Sequence, residues 1–124
     1  MNKYIKRIKN ELIPFTTNAI TTLELEENKL QKELEVHGEI FIKKEVEDIK
    51  TLINTIDDID CDIADIYMDD EEGNVDKIYY ELGETVGHWH YTIDFRKMTI
   101  KEYIERLKVL KKEMIGAVKK YENI

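Results

Sequence analysis

Two histidines separated by one residue, His88 and His90, are the only pair whose types and spacing favour metal chemistry. On a β-strand, residues i and i+2 point to the same face, so the two imidazoles would lie side by side, opposite Trp89. Zinc sites usually have three or four ligands, and no paired-ligand motif accompanies these histidines. Further ligands would have to come from elsewhere, the candidates being Asp94, Cys61 and His37. We treat His88 and His90 as weak metal candidates and predict no cofactor.

Covalent catalysis has one candidate nucleophile, Cys61, because the chain contains no serine. Cys61 lies between Asp60 and Asp62, and nearby anions disfavour the reactive thiolate. The five glycines are scattered singly, so there is no phosphate-binding loop motif. An EF-hand alignment on Gly73 fails, because it puts Met68 at the first calcium-ligand position. These features favour a non-enzymatic protein.

The single cysteine excludes an internal disulfide, which favours a reducing compartment and predicts a cytoplasmic protein.

The strongest feature of the sequence is a run of carboxylates over residues 57–76. This segment contains ten acidic residues and no cation, whereas the whole chain has 27 Asp and Glu against 19 Lys and Arg, a net charge of −8. The negative charge of this segment is therefore larger than the net negative charge of the whole chain. Nine of its acidic residues are predicted to bind a partner: Asp57, Asp58, Asp60, Asp62, Asp65, Asp69, Asp70, Glu71 and Glu72.

Dense like charges repel unless they are solvated or neutralised, so this acidic segment has three interpretations. It is a solvated rim that aids solubility, a docking surface for a basic protein, or a metal site. We predict a non-enzymatic acidic protein-binding module, an inhibitor or immunity-type partner of a basic protein surface, which can compete with nucleic acid there. The alternatives are a metal-binding protein or hydrolase using His88 and His90, and a homodimeric chaperone or structural module using the helices. The acidic balance argues against direct binding of nucleic acid or of anionic membranes.

Helical periodicity dominates the first half of the chain. Residues 2–12 form an amphipathic pattern that Pro14 is expected to end or kink, pushing Ile13 out of the helical region. Residues 16–36 favour a helix by composition, although 22–26 also alternate like a strand. Residues 44–58 are clearer, with one apolar face made of Val46, Ile49, Leu52, Ile53 and Ile56.

The apolar period then changes from 3.6 to 2. Three segments, 62–69, 75–82 and 88–96, alternate apolar and polar residues and are separated by DDEEGN and GETVG. This pattern predicts a three-stranded antiparallel meander over about 62–96, with Gly73 or Asn74 at positive φ in the first turn.

The last helix is predicted over about 100–122. Thr99 and Glu102 match a capping box at its start. Its apolar stripe is Ile100, Tyr103, Ile104, Leu107, Leu110, Met114, Ala117, Val118 and Tyr121. Its heptad spacing also allows a helix-to-helix contact, for example in a homodimer.

With N-terminal helices, a meander and this last helix packed on the meander, we predict a single α+β domain over 1–124. We expect no secretory signal and no membrane span, because no apolar run is long enough.

Overall fold

The described part of the protein consists of helices. The computed structural model describes residues 2–36, 47–68, 73, 76–93 and 100–122, with side chains for all of them except 26–36 and 67. Helix α1 runs over 3–36 and consists of α-helical Lys3–Arg7, π-helical Ile8–Leu12 and α-helical Ile13–Val36. The following helices are α2 (Glu47–Met68), α3 (Lys77–Thr92) and α4 (Ile100–Tyr121).

The four helices pack as antiparallel neighbours. Helix α1 contacts both α2 and α4, and α2 also contacts α3. Near the start of α1, Arg7 approaches Asp62 at the end of α2. Further along α1, the hydroxyl of Thr22 donates a hydrogen bond to Asp48 at the start of α2. These two contacts show that α1 and α2 run in opposite directions.

Two tyrosines of α4 connect it to α3 in the same antiparallel sense. The hydroxyl of Tyr103 donates a hydrogen bond of 3.2 Å to the carbonyl of Ile93, which follows the end of α3. The hydroxyl of Tyr121 lies 3.1 Å from Oε2 of Glu81, near the start of α3. The described helices therefore form an up-down-up-down four-helix bundle.

The predicted meander, and with it the α+β class, is wrong for the residues that the structure describes. Residues 62–68 continue α2, because the buried stripe of that helix extends at helical spacing through Ile59 and Ile63. The part of the prediction on 69–72, 74–75 and 94–96 lies outside the described residues. Gly73 does have a positive φ, 69°, as predicted, but it lies between two helices.

Helix α3 replaces the other two predicted strands. Asp76 caps its N-terminus by accepting a hydrogen bond from the backbone N–H of Ile78. The buried hydrophobic side chains of this segment recur every three or four positions and are Ile78, Leu82, Val86, Trp89 and Ile93. Trp89 and Tyr91 would share a face in a strand, yet Trp89 is 1% exposed and Tyr91 is 84% exposed. The apparent period of 2 came from aromatic residues that the bundle leaves in solvent.

Pro14 was predicted to end or kink the first helix and to push Ile13 out of the helical region, but the helix continues through it. Ile13 stays helical, with φ −63° and ψ −49°, and its N–H donates to the carbonyl of Ile8, five residues earlier. A proline in a regular α-helix clashes with the carbonyl four residues before it, here that of Asn10. The π-helical turn directly before Pro14 widens the helix at this carbonyl, so α1 continues through the proline.

The helical predictions outside the meander are confirmed wherever the structure describes them. Residues 3–12, 16–36 and the described part of 44–58 are helical, and all nine predicted positions of the α4 stripe are buried. The predicted apolar position Val46 and the predicted cap residue Thr99 lie outside the described residues. Helix α4 packs mainly against α1 and not on a sheet, so its apolar stripe is used inside the chain.

Candidate functional site

The acidic segment forms one exposed side of α2. Five of the nine predicted partner-binding residues lie in the C-terminal half of this helix: Asp57, Asp58, Asp60, Asp62 and Asp65. The other four, Asp69, Asp70, Glu71 and Glu72, lie outside the described residues. Because Ile56, Ile59 and Ile63 are buried on the opposite side, the helix turns most of these carboxylates outward. The exposed ones, Asp57, Asp58, Asp62 and Asp65, are called the α2 acidic face below.

On one flank of this face, His90 of α3 lies between two carboxylates. Its Nε2 is 3.6 Å from Oδ1 of Asp57, and its Nδ1 is 3.4 Å from Oδ2 of Asp60. Gly87, one turn earlier on α3, lies beside the same carboxylate, and a Cβ there would be 3.5 Å from Oδ1 of Asp60, an ordinary van der Waals contact. When protonated, this imidazole neutralises part of the negative charge at the α2–α3 contact.

On the other flank, Arg7 of α1 supplies the counter-charge. Its Nε donates to Oε2 of Glu11 at 2.7 Å, and its Nη1 lies 4.0 Å from Oδ2 of Asp62. The hydrogen bond that Arg7 donates to Glu11, together with the charges of Glu11, Asp58 and Asp62, outweighs desolvation and raises the pKa of Arg7. This guanidinium therefore stays charged, but it is shared between α1 and α2.

The two flanking groups leave half of the α2 acidic face without a counter-ion in the part of the chain that the structure describes. Among the described residues, neither Asp58 nor Asp65 has a cation within 4 Å of its carboxylate. Within the described ranges, the five carboxylates from Asp57 to Asp65 therefore share one guanidinium, which Glu11 also binds, and one imidazole. Neither Arg7 nor His90 was predicted from the sequence to flank this face. A helical interpretation of 77–92 would have placed His90 on the same side of α3 as Gly87, one turn later.

The structural premise of the metal hypothesis does not hold. In a helix, residues i and i+2 are about 200° apart, so His88 and His90 point to different sides of α3. His90 faces Asp57 and Asp60, whereas His88 is exposed. Within the described ranges, no group of three or more His, Cys, Asp or Glu side chains is arranged to hold a metal ion. The remaining proposed ligands, His37 and Asp94, lie outside those ranges.

Cys61 lies on the exposed side of α2 among the carboxylates. Its Sγ is 3.9 Å from Oδ1 of Asp57. The charge of Asp57 is the largest cause that raises the pKa of Cys61, followed by desolvation and by the charges of Asp60 and Asp65. The direction agrees with the prediction that anions disfavour the thiolate. The carboxylates responsible include helix neighbours four residues away, beyond the sequence neighbours first considered.

Cys61 therefore reports the negative potential of the α2 acidic face. We expect Asp57→Asn to lower the pKa of Cys61 and to speed its alkylation by iodoacetamide at pH 8 by about two- to fivefold, because more thiolate is present. High salt should speed the wild-type reaction in the same direction by screening the carboxylates. Glu47→Gln removes the same charge about 21 Å away along α2 and should leave the rate unchanged. Equal rates in all three proteins would mean that the carboxylates do not control the thiol.

The fold and the acidic face together define a class: an antiparallel helical bundle that displays a row of carboxylates on one helix. Comparison with known protein families, with curated proteins and with solved structures finds no match for this chain. None of the helices in the described ranges is long and apolar enough to cross a membrane. The functional argument therefore rests on the geometry of the face.

Proposed function

We propose that this protein is a non-enzymatic binding protein that docks its α2 acidic face on a basic surface of another protein, as an inhibitor or immunity-type partner does. The observation that supports the proposal is the row of exposed carboxylates from Asp57 to Asp65, which among the described residues has only Arg7 and, when protonated, His90 as counter-charges. These residues span about 12 Å of one helix. Because a packed helix holds them in place, little conformational entropy is lost when a partner binds.

The α2 acidic face is expected to act on the rate of association, through electrostatic steering of the partner. A row of one sign raises the local concentration of oppositely charged partners and accelerates association by about 10–10³-fold at low salt. A protein surface that attracts these carboxylates is also one that binds phosphates, so docking would compete with nucleic acid for it. The proposal places this encounter in the cytoplasm, since the lone Cys61 suits a reducing compartment.

The test compares two variants with equal changes in charge. One replaces the acidic face, Asp57, Asp58, Asp62 and Asp65, by asparagine. The control replaces one exposed glutamate on each helix by glutamine: Glu24, Glu47, Glu84 and Glu105. Partners are captured from host lysate at low salt, identified by mass spectrometry and purified. Their association and dissociation rates are then measured up to about 1 M salt, where the Debye length is about 3 Å.

We expect the asparagine variant to associate about 10–10³-fold more slowly than wild type at low salt, with a smaller change in dissociation. The control should associate like wild type, because its lost charges lie away from the face. If the asparagine variant captures the same partner at the wild-type rate, the carboxylates serve only solubility and the proposal is wrong.

A further inference from the structure

The outer side of α4 carries the opposite charge. Exposed Lys108, Lys112 and Lys119 follow each other at intervals of four and seven residues, so they lie on one side of the helix, with Ile115 between them. These four residues are called the α4 basic face below. The carboxylate of Glu105 lies 3.7 Å from Nζ of Lys108. Within the described residues, neither Lys112 nor Lys119 has a carboxylate within 4 Å.

The bundle keeps these two charged faces apart. Helices α2 and α4 both pack against α1, and α3 packs beside α2, so α2 and α4 occupy diagonal positions. Their outer faces therefore point away from each other, and the basic face of one molecule cannot neutralise its own acidic face. A second molecule can bring the two together.

We propose that the α4 basic face docks on the α2 acidic face of a second copy of this chain. Lys112 and Lys119 are seven residues apart, as are Asp58 and Asp65, so the two charges of each pair lie about 10.5 Å apart along their helix. The positive pair on α4 therefore matches the spacing of the negative pair on α2. Each face also has an exposed apolar side chain within one turn of its charges, Ile115 on α4 and Met68 on α2. Docking would remove these side chains from water, which adds an apolar contribution to the ionic one.

The diagonal arrangement determines the kind of assembly. A contact between two different faces is heterologous, and it leaves one acidic and one basic face free at the ends of each pair. Copies would therefore add head to tail and not stop at a closed dimer. This inference goes beyond the proposed function, and a basic partner protein would compete with the second copy for the same carboxylates.

The test is a charge swap between the two faces. Variant one is Asp58→Lys with Asp65→Lys, and variant two is Lys112→Glu with Lys119→Glu. All four positions are exposed and lack ion pairs to other described residues, so both variants should keep the helical circular dichroism of wild type. Wild type should form larger species in sedimentation velocity as its concentration rises at low salt, and should revert to monomers near 1 M salt.

Each variant alone should associate at least about tenfold more weakly than wild type, because like charges then face each other. Mixing the two variants should restore association, since each reversed face meets its new complement, although both remain net acidic. Lys6→Glu with Lys77→Glu is the matched control on other exposed sites and should associate like wild type.

Three results would overturn the inference: a wild type that stays monomeric at low salt, variant one or variant two alone associating as wild type does, or a mixture of variants one and two that stays monomeric. Should a lysine variant lose helical structure, Asp58→Asn with Asp65→Asn replaces it and must still weaken the association. The experiment uses the purified chain alone, so its failure is distinct from failure to find a basic protein partner.

Discussion

Trp89→Ala should lower the free energy of unfolding by about 3–5 kcal/mol, whereas Tyr91→Ala should change it by less than about 0.5 kcal/mol. The two residues differ by two positions on α3, but the helix buries Trp89 and leaves Tyr91 in solvent. Truncating the indole removes a large buried apolar group and leaves a cavity among the packed helices. Truncating the Tyr91 ring removes few contacts.

Urea denaturation followed by circular dichroism measures both values on the same scale. If Trp89→Ala does not fold, Trp89→Phe keeps a ring in the site and should lose less stability, in the same direction. A three-stranded meander would place both rings on one face. Similar losses of stability in the two alanine variants would therefore contradict the helical structure of this segment.

Leu107→Ala should lower the free energy of unfolding by about 2–5 kcal/mol. Leu107 is fully buried in α4, the helix that packs along α1. Close packing in such a core means that the removed isopropyl group leaves a void that its neighbours fill only in part. The loss should appear as a lower denaturation midpoint with an unchanged slope, since the folded structure is otherwise retained.

Val109→Ala is the matched control for Leu107→Ala, because it lies two residues away on the same helix and is 53% exposed. Its stability should change by less than about 0.5 kcal/mol, since alanine also has the higher helix propensity. A Leu107→Ala protein with the melting temperature of wild type would show that the α4 stripe is not part of the core.

The sequence by itself determined the elements whose apolar pattern has only one period. Every predicted stripe position of α4, from Ile100 to Tyr121, is buried, because nine apolar residues at helical spacing can all be covered only along one side of a helix. The helical nature of the described part of 44–58 was predictable for the same reason. Residues 16–36 were predicted to be helical from their composition instead, because 22–26 also alternate like a strand. The acidic character of residues 57–65 and the direction of the Cys61 pKa shift also followed from sequence, since they depend on close neighbours along the chain.

Tertiary structure decided the elements whose pattern fits two periods. Around Trp89, the aromatic residues alternate with polar ones, and the same segment also carries the helical series from Ile78 to Ile93. Tyrosine tolerates both burial and solvent because it has an apolar ring and a polar hydroxyl, so Tyr91 does not reveal its side from sequence. Only packing against α2 and α4 shows which series is buried.

Tertiary structure also decided which residues compensate the α2 acidic face and where the α4 basic face lies relative to it. Arg7 reaches Asp62 from 55 residues away, and His90 reaches Asp57 from 33 residues away. No local pattern encodes these contacts, because they depend on which helices become neighbours in the bundle. The diagonal placement of the α2 acidic face and the α4 basic face has the same origin. Charge content is a property of the sequence, whereas the surface that each charge occupies is fixed only when the helices pack.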